Sequence, residues 1–486
     1  MTKELRRLSV VMLAMFLALL GATSWIQVVQ ASDLSENEYN RRALYDSFEV
    51  QRGSILAGDA VLASSVPSDD LYSWQRQYTD PLMWAPVTGY INPVLQSATG
   101  IERAMNRELS GTAGSQFLAR MERIITGQSP RGSNVLLTLD PAVQQVAFDA
   151  LGAYEGAVVA IEPSTGRVLA MVTSPSYDTN SLAVHDSKTV NATYDELLAN
   201  ALDPLWNRAI GDSLNPPGST FKLVVASAAL ASGDYTPEST FANPASWQLP
   251  GTSTSIHNFD GGQCGPGDTV TLATALRLSC NIPMAQLAVQ LGDDAIRAEA
   301  EKYGFDKSFE IPLVTTASTY PPAPLDDAQT ALTGFGQQDV KASPLQIAMV
   351  AAGIANDGVV MNPRMVDRVV AQDLTVQQTF DDTQFDRALS AADAATMTTM
   401  MIANVSNGAA SGARIDGVDV AGKTGTAEHG PGDPYTFWFT GFAPADDPQV
   451  AVAVMIENGA GLGQSGTSNG IAAPIAKKVI EAVLSR

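Results

Sequence analysis

Residues 216–233 read PPGSTFKLVVASAALASG. Two prolines and a glycine deliver the chain to a helix start, since proline presets φ and has no N–H to satisfy in the first turn. From Leu223 onward the segment is apolar on every side apart from small hydroxyls such as Ser227, and a helix apolar all round is a buried one. Ser219 and Lys222 stand three positions apart at its start, on one face. Each has an ordinary explanation alone: serine favours helix N-caps, and a first-turn lysine can snorkel to water. On a buried helix the pair reads differently. A desolvated ammonium gives up its proton, and a second cation nearby pushes the same way. A neutral lysine within reach of a serine hydroxyl is a general base, and the helix N-terminus offers N–H groups to a developing oxyanion.

Two further segments belong with it. Val420-Ala421-Gly422-Lys423-Thr424-Gly425-Thr426 has glycines that let a substrate backbone approach a strand, and a lysine and a threonine hydroxyl that can bind a carboxylate. Ser279-Cys280-Asn281 follows TLATALRL and precedes IPMAQLAVQL, at a helix–loop junction. Either alone would pass for a strand or a cap.

Strand-like runs flank these motifs at a distance. GAVVAIEP and GRVLAMVTS, joined at Pro163–Gly166, read as a hairpin; GVDVAGKTGTA, YTFWFTGFA and QVAVAVMIE follow much later. Alternation is poor in the last, so both its faces should be covered. Asp140-Pro141 starts a helix through VQQVAFDAL, a final helix runs from Ile471 to Leu484, and residues 180–415 are mostly helical and Ala-rich. These runs imply one sheet assembled from distant segments, with helices on both faces. Residues 33–132, rich in Ser, Asp, Tyr, Trp and Gly, suggest a loop-rich, extended module, with a linker at Gly127–Ser133.

The 486 residues carry 29 Lys+Arg against 51 Asp+Glu, a net charge of −22. That balance argues against nucleic acid or an anionic membrane surface as main partner. Two Cys and three His exclude a multi-ligand zinc site or an iron–sulfur cluster. No charge occurs from Leu8 to Ser32, a stretch long enough to span a bilayer. Lys3, Arg6 and Arg7 before it, and Asp33, Glu36 and Glu38 after it, place the N-terminus in the cytoplasm and the rest outside. A cleaved signal peptide ending near Val29-Gln30-Ala31 is the rival reading, though signal cores are usually shorter. Both export the chain to an oxidising environment. Cys264 and Cys280 then form the one pair available for a disulfide, the alternative being two buried thiols.

Ser-x-x-Lys, Ser-x-Asn and Lys-Thr-Gly in this order resemble the signature of penicillin-binding proteins and serine β-lactamases. Asn207-Arg208-Ala209, SPSYDTN at Ser174–Asn180 and ASPLQIAMVAAGIANDG at Ala342–Gly358 match as well. With one anchor and a module bearing Arg52-Gly53-Ser54-Ile55 and Gly100-Ile101-Glu102, the chain resembles the monofunctional class B penicillin-binding proteins over nearly its whole length.

The resemblance implies an α+β transpeptidase domain at 133–486: a five-stranded antiparallel sheet between helical layers, plus an all-helical subdomain. Residues 1–32 would be the cytoplasmic tip and transmembrane anchor, and 33–132 a non-catalytic pedestal or dimerisation-like module. It implies a peptidoglycan D,D-transpeptidase, with D,D-carboxypeptidase or non-catalytic β-lactam sensor as alternatives, and no cofactor or metal. Ser219 would attack the penultimate D-alanine carbonyl of a stem peptide and Lys222 would take its proton, with Ser279 a relay and Asn281 holding Lys222. Lys423 and Thr424 would bind the terminal carboxylate beside Gly425, and the N–H groups of Ser219 and Thr426 would form the oxyanion hole. Partners implied are stem peptides, β-lactams and a membrane-embedded glycosyltransferase of the shape, elongation, division and sporulation type.

Two departures stand out. The middle residue of the second motif is Cys280 rather than Asp, and a Cys264–Cys280 bond would tether that loop. Ser406–Gly417 looks flexible, so this edge of the cleft is expected to be loose. Neither His257 nor His429 is assigned a role.

Overall fold

Strand Val450–Ile456 holds no polar residue, and all its side chains are buried. Val450, Val452, Val454 and Ile456 enter one apolar cluster, with Val143 and Leu151 of helix Pro141–Leu151 and Ile475, Val479 and Ile480 of helix Ala472–Leu484. Ala451, Ala453 and Met455 enter another, with Leu345, Ile347 and Val350 of helix Pro344–Ala355. A side-chain period of two thus feeds a helical layer on each face, which is why the sequence lacks polar alternation there.

In this computed structural model, which describes residues 2–30, 50–113, 131–373 and 375–486, that strand is central in a five-stranded antiparallel sheet. The order is Ala421–Ala427, Thr436–Ala443, Val450–Ile456, Gly156–Ile161, Val168–Ser174. The hairpin, the three late strands and both flanking helices fall where the sequence placed them. Asp140 caps its helix by accepting the N–H groups of Ala142 and Val143 at 2.9 and 3.3 Å.

The helical part holds Lys222–Ser232, Leu272–Leu278, Ile282–Leu291, Asp293–Lys302, Asp327–Thr333 and Ala391–Asn407. Expected to be purely helical, it also carries two ribbons, Thr240–Ala242 with Thr269–Thr271 and Ser246–Gln248 with Ser255–His257. Three-residue strands are too short to leave a periodic pattern.

The N-terminal module differs more from its expectation. Within 50–113, strands Ile55–Ala57, Ala60–Pro67 and Trp74–Tyr78 join a six-stranded sheet, and Trp84, Ile101 and Leu109 are buried. The other strands are Asn134–Leu137, parallel to Ile55–Ala57, then Val366–Val370 and Val376–Thr379. The sheet thus takes strands from both sides of residue 133. Under it Glu102, fully buried, receives Arg52 Nη2 at 2.7 Å and pairs with Arg76 Nε. Burial pushes the Glu102 carboxyl up, but Arg76 and Arg52 outweigh burial and hold it below the usual range. Asn180 fastens the module by exchanging hydrogen bonds with the backbone N–H and C=O of Tyr78, both at 2.8 Å.

At the N-terminus, helix Thr2–Ser24 ends in one π-helical turn, Trp25–Val29. Lys3–Gln27 is apolar and long enough to cross a membrane, and none of its apolar window is buried.

Candidate active site

The prolines and glycine of the 216–233 stretch make a pinched turn. Gly218 has φ +51°, and a Cβ there would lie 2.5 Å from the carbonyl oxygen of Thr426. Gly336, at φ +74°, leaves room for the Gly218 carbonyl, which a Cβ would meet at 2.1 Å. Only glycine accepts both the left-handed backbone and the approach. Gly218–Phe221 is a 3₁₀ turn, and helix Lys222–Ser232 follows without a break. Ser219 is half-buried at the start and Lys222 is fully buried.

Ser279 ends helix Leu272–Leu278 in a left-handed conformation, φ 62° and ψ 36°. That geometry, uncommon away from glycine, divides the residue between two lysines. Its carbonyl accepts Lys222 Nζ at 2.7 Å, and its hydroxyl accepts Lys423 Nζ at 2.6 Å. Lys222 Nζ also donates to Asn281 Oδ1 at 2.8 Å, and Lys423 Nζ to the Thr424 carbonyl at 2.8 Å. Burial, and after it the charge of Lys423, hold Lys222 well below its usual value. Burial alone lowers Lys423 to about 7. A neutral Lys222 has two N–H groups and one lone pair; the two acceptors take both N–H groups and leave the lone pair for a proton.

Lys423, Thr424, Gly425 and Thr426 lie on Ala421–Ala427, the edge strand, whose outer backbone row has no partner strand among the described residues. Strand and serine line one cleft of about 1010 Å³ with Asn281, Thr424, Thr426 and Ser468. Thr424 Oγ1 donates to the Ala409 carbonyl at 3.3 Å, and Ser468 Oγ donates to the Gly425 carbonyl at 2.5 Å. The sequence-chosen site residues therefore converge.

Cys264 and Cys280 form a disulfide, with Cα atoms 5.7 Å apart. Sequence reasoning missed Asn258, which is buried; its Oδ1 accepts the N–H groups of Asn281 and Ile282 at 2.8 and 3.1 Å. Its place in HNFDGGQC, the stretch between the ribbon and the disulfide, was the only signal. Residues 406–417, expected to be loose, are pinned instead. The Ala409 N–H donates to the Arg277 carbonyl at 3.1 Å, the Gly412 N–H donates to Asn469 Oδ1 at 2.7 Å, and Ala410 and Ala413 are buried. Small side chains, read as looseness, are what this close packing requires: a Cβ on Gly412 would lie 2.1 Å from the Asn469 carbonyl.

An active-serine site on the edge of a five-stranded sheet, with a lysine one turn on and a Ser-x-Asn loop opposite, defines a class. The description "Penicillin binding protein transpeptidase domain" matches residues 156–481, and "Penicillin binding protein A dimerisation domain" matches 52–135. The chain belongs to the penicillin-binding protein transpeptidase family. It is 41% identical over 493 residues to peptidoglycan D,D-transpeptidase PbpA of Mycolicibacterium smegmatis, covering 100% of this chain and 99% of the relative. Peptidoglycan D,D-transpeptidase MrdA of Acinetobacter baumannii is 30% identical, covering 81% of this chain and 61% of that protein. The penicillin G acyl-enzyme complex of penicillin-binding protein A from M. tuberculosis superposes with a TM-score of 0.84 at 41% identity, covering 90% of this chain and 100% of that one.

Proposed function

We propose that this chain is a membrane-anchored peptidoglycan D,D-transpeptidase that β-lactams acylate. Its full-length likeness to PbpA supports the reaction, and the cleft supports the assignment of roles. Lys222 takes the Ser219 proton, and Ser219 Oγ attacks the penultimate D-alanine carbonyl. The N–H groups of Ser219 and Thr426 receive the oxyanion. D-alanine leaves with the proton, passed through the Ser279 hydroxyl, and an amine of a second stem resolves the acyl-enzyme to form the cross-link. Asn281 holds Lys222, while Lys423 and Thr424 take the terminal carboxylate beside Gly425. A β-lactam carbonyl enters the same path.

The observation that carries this reading is Lys222, fully buried one turn after Ser219, with its two N–H groups taken by the Ser279 carbonyl and Asn281 Oδ1. In the same reading, 1–32 is an uncleaved anchor with its N-terminus in the cytoplasm, 33–132 a pedestal and 133–486 the catalytic domain outside. Anchor and pedestal engage a membrane-embedded glycosyltransferase; undiminished complementation after exchange of the anchor for an unrelated one would overturn that.

The test of the chemistry is intact and peptide mass spectrometry of the detergent-solubilised chain with benzylpenicillin. One stable adduct on the Ser219 peptide, absent in Ser219→Ala, is expected. A folded chain that forms no adduct refutes the active serine.

A further inference from the structure

Ser468 lies outside all three motifs, and the roles assigned above leave it out. It is buried in the turn that leads into the last helix, Ala472–Leu484, and it lines the cleft with Ser219 and Thr426. That turn is braced on both sides. The Ser468 carbonyl accepts the Ala473 N–H at 3.0 Å, and Asn469 Oδ1 accepts the Gly412 N–H at 2.7 Å. From this support the Ser468 hydroxyl reaches the Gly425 carbonyl oxygen at 2.5 Å and Thr426 Oγ1 at 2.8 Å.

These two contacts fix the protons. A carbonyl oxygen only accepts, so the proton on the first contact is that of Ser468. Having given it, Ser468 Oγ accepts on the second, and the Thr426 hydroxyl donates. Strand geometry then sets the direction of the peptide. The Thr426 carbonyl faces the turn before Ser219, where a Cβ on Gly218 would meet it at 2.5 Å. Within a strand the N–H and C=O of one residue point the same way, and those of the next point the opposite way. The Thr426 N–H therefore faces the serine as well. The Gly425 C=O, at the other end of the same peptide unit, points back toward Trp438 of the neighbouring strand. Ser468 thus grips the rear of the peptide whose front offers its N–H to the oxyanion.

A hydrogen bond accepted by a peptide oxygen draws charge through the amide and strengthens the donor at its nitrogen. It also holds the plane at one tilt, and an oxyanion donor acts only at about 2.7–3.1 Å from the place where charge develops. The Thr426 hydroxyl, donating to Ser468, lengthens the same chain by one link. The chain starts on the Thr426 side chain and returns to the Thr426 N–H.

Resting on the transpeptidase reading above, we propose that Ser468 is a positioning residue for acylation. Its hydroxyl orients and polarises the Gly425–Thr426 peptide, so that the Thr426 N–H meets the oxyanion formed when Ser219 attacks.

The experiment acylates the detergent-solubilised full chain with benzylpenicillin. Difference infrared spectra read the ester carbonyl, whose stretch falls as its oxygen is hydrogen-bonded. In the wild type the band should lie below that of the unfolded acyl-enzyme. In Ser468→Ala it should rise part of the way back, and the acylation rate constant should drop about tenfold, less than the hundredfold or so for an oxyanion donor lost outright. The dissociation constant of the non-covalent complex should hold within about twofold, because the charge develops only after binding. Tm should fall by about 1 °C, the worth of one hydrogen bond in a chain of this length. Ser468→Thr keeps the hydroxyl and should restore band and rate. Thr426→Val keeps the N–H but takes the donor from Ser468, so its band should move the same way by less. A band and rate constant unmoved in Ser468→Ala, or a Ser468→Thr variant as impaired as Ser468→Ala, overturn the proposal. If Ser468→Ala does not fold, an unmoved band in Thr426→Val overturns it. A wild-type band level with that of the unfolded acyl-enzyme instead overturns the oxyanion role of Thr426, and the proposal with it.

Discussion

Replacing both Cys264 and Cys280 with serine removes a covalent clamp from the second motif while leaving the catalytic side chains in place. The bond spans 16 positions. Loop-closure entropy for such a span makes the disulfide worth about 3 kcal/mol relative to the open chain. The transition entropy of a chain this long, about 2.1 cal/mol/K per residue, converts this to a fall in Tm of about 3 °C. The loss should also reach the site. Cys280 separates Ser279, which binds both lysines, from Asn281, which holds Lys222, while the 258–264 stretch hangs from Cys264 at one end and Asn258 at the other. Without the bond, Asn258 alone fixes the motif, and the second-order acylation constant should drop by about threefold to tenfold, the worth of about one hydrogen bond's ordering. Differential scanning calorimetry and stopped-flow acylation by a fluorescent penicillin read the two effects, and wild type with dithiothreitol should match the variant. An unchanged Tm and an unchanged acylation constant in the variant would refute the argument that the disulfide orders this loop.

Acylation should also depend on pH in a way the lysines set. Lys423, lowered to about 7 by burial, is an ammonium below that pH and neutral above it. A carboxylate ligand needs the ammonium, so the second-order acylation constant should fall as pH rises beyond about 7. It should fall again at low pH, where Lys222, held down first by burial and then by Lys423, finally takes a proton. Lys423→Arg, which stays charged, should lose the alkaline limb; a pH–rate profile whose alkaline limb survives that change removes Lys423 as its cause. In the pedestal, Glu102→Gln leaves two buried guanidiniums without their carboxylate and should cost about 3–5 kcal/mol. Urea unfolding reads it, and a loss under 1 kcal/mol would mean that water already reaches the pair.

What was legible followed from chemistry that is local in sequence. Ser219 and Lys222 share one turn, and the strands around Lys423 are long enough to declare themselves by unbroken apolar runs. Ser279 and Asn281 were legible as a motif, but not as a bridge between two lysines, because that depends on a left-handed serine that no pattern announces. Asn258 and the chain from Thr426 through Ser468 to the Gly425 carbonyl stayed hidden for the same reason: each link joins residues distant in sequence or a side chain to buried backbone. The sheet of the N-terminal module was not legible because most of its strands are short and it is completed by Asn134–Leu137 and by 366–379, deep within the later sequence. Glycine and alanine at 406–417 read as slackness because sequence does not distinguish a small residue in open space from one pressed against a carbonyl.

The shared six-stranded sheet has a mechanical consequence. Strands Val366–Val370 and Val376–Thr379 join this sheet through Asn134–Leu137, whose other edge pairs with Ile55–Ala57, so a cut at residue 133 would split the sheet down its middle. Among the described residues, load on the 55–78 strands is therefore delivered to the rest of the sheet through backbone hydrogen bonds. The strand Asn134–Leu137 at the middle of that sheet leads directly into helix Pro141–Leu151, which packs beneath the catalytic sheet. Any shift of the 55–78 strands is thereby passed to the underside of the catalytic sheet along one continuous stretch, residues 134–151.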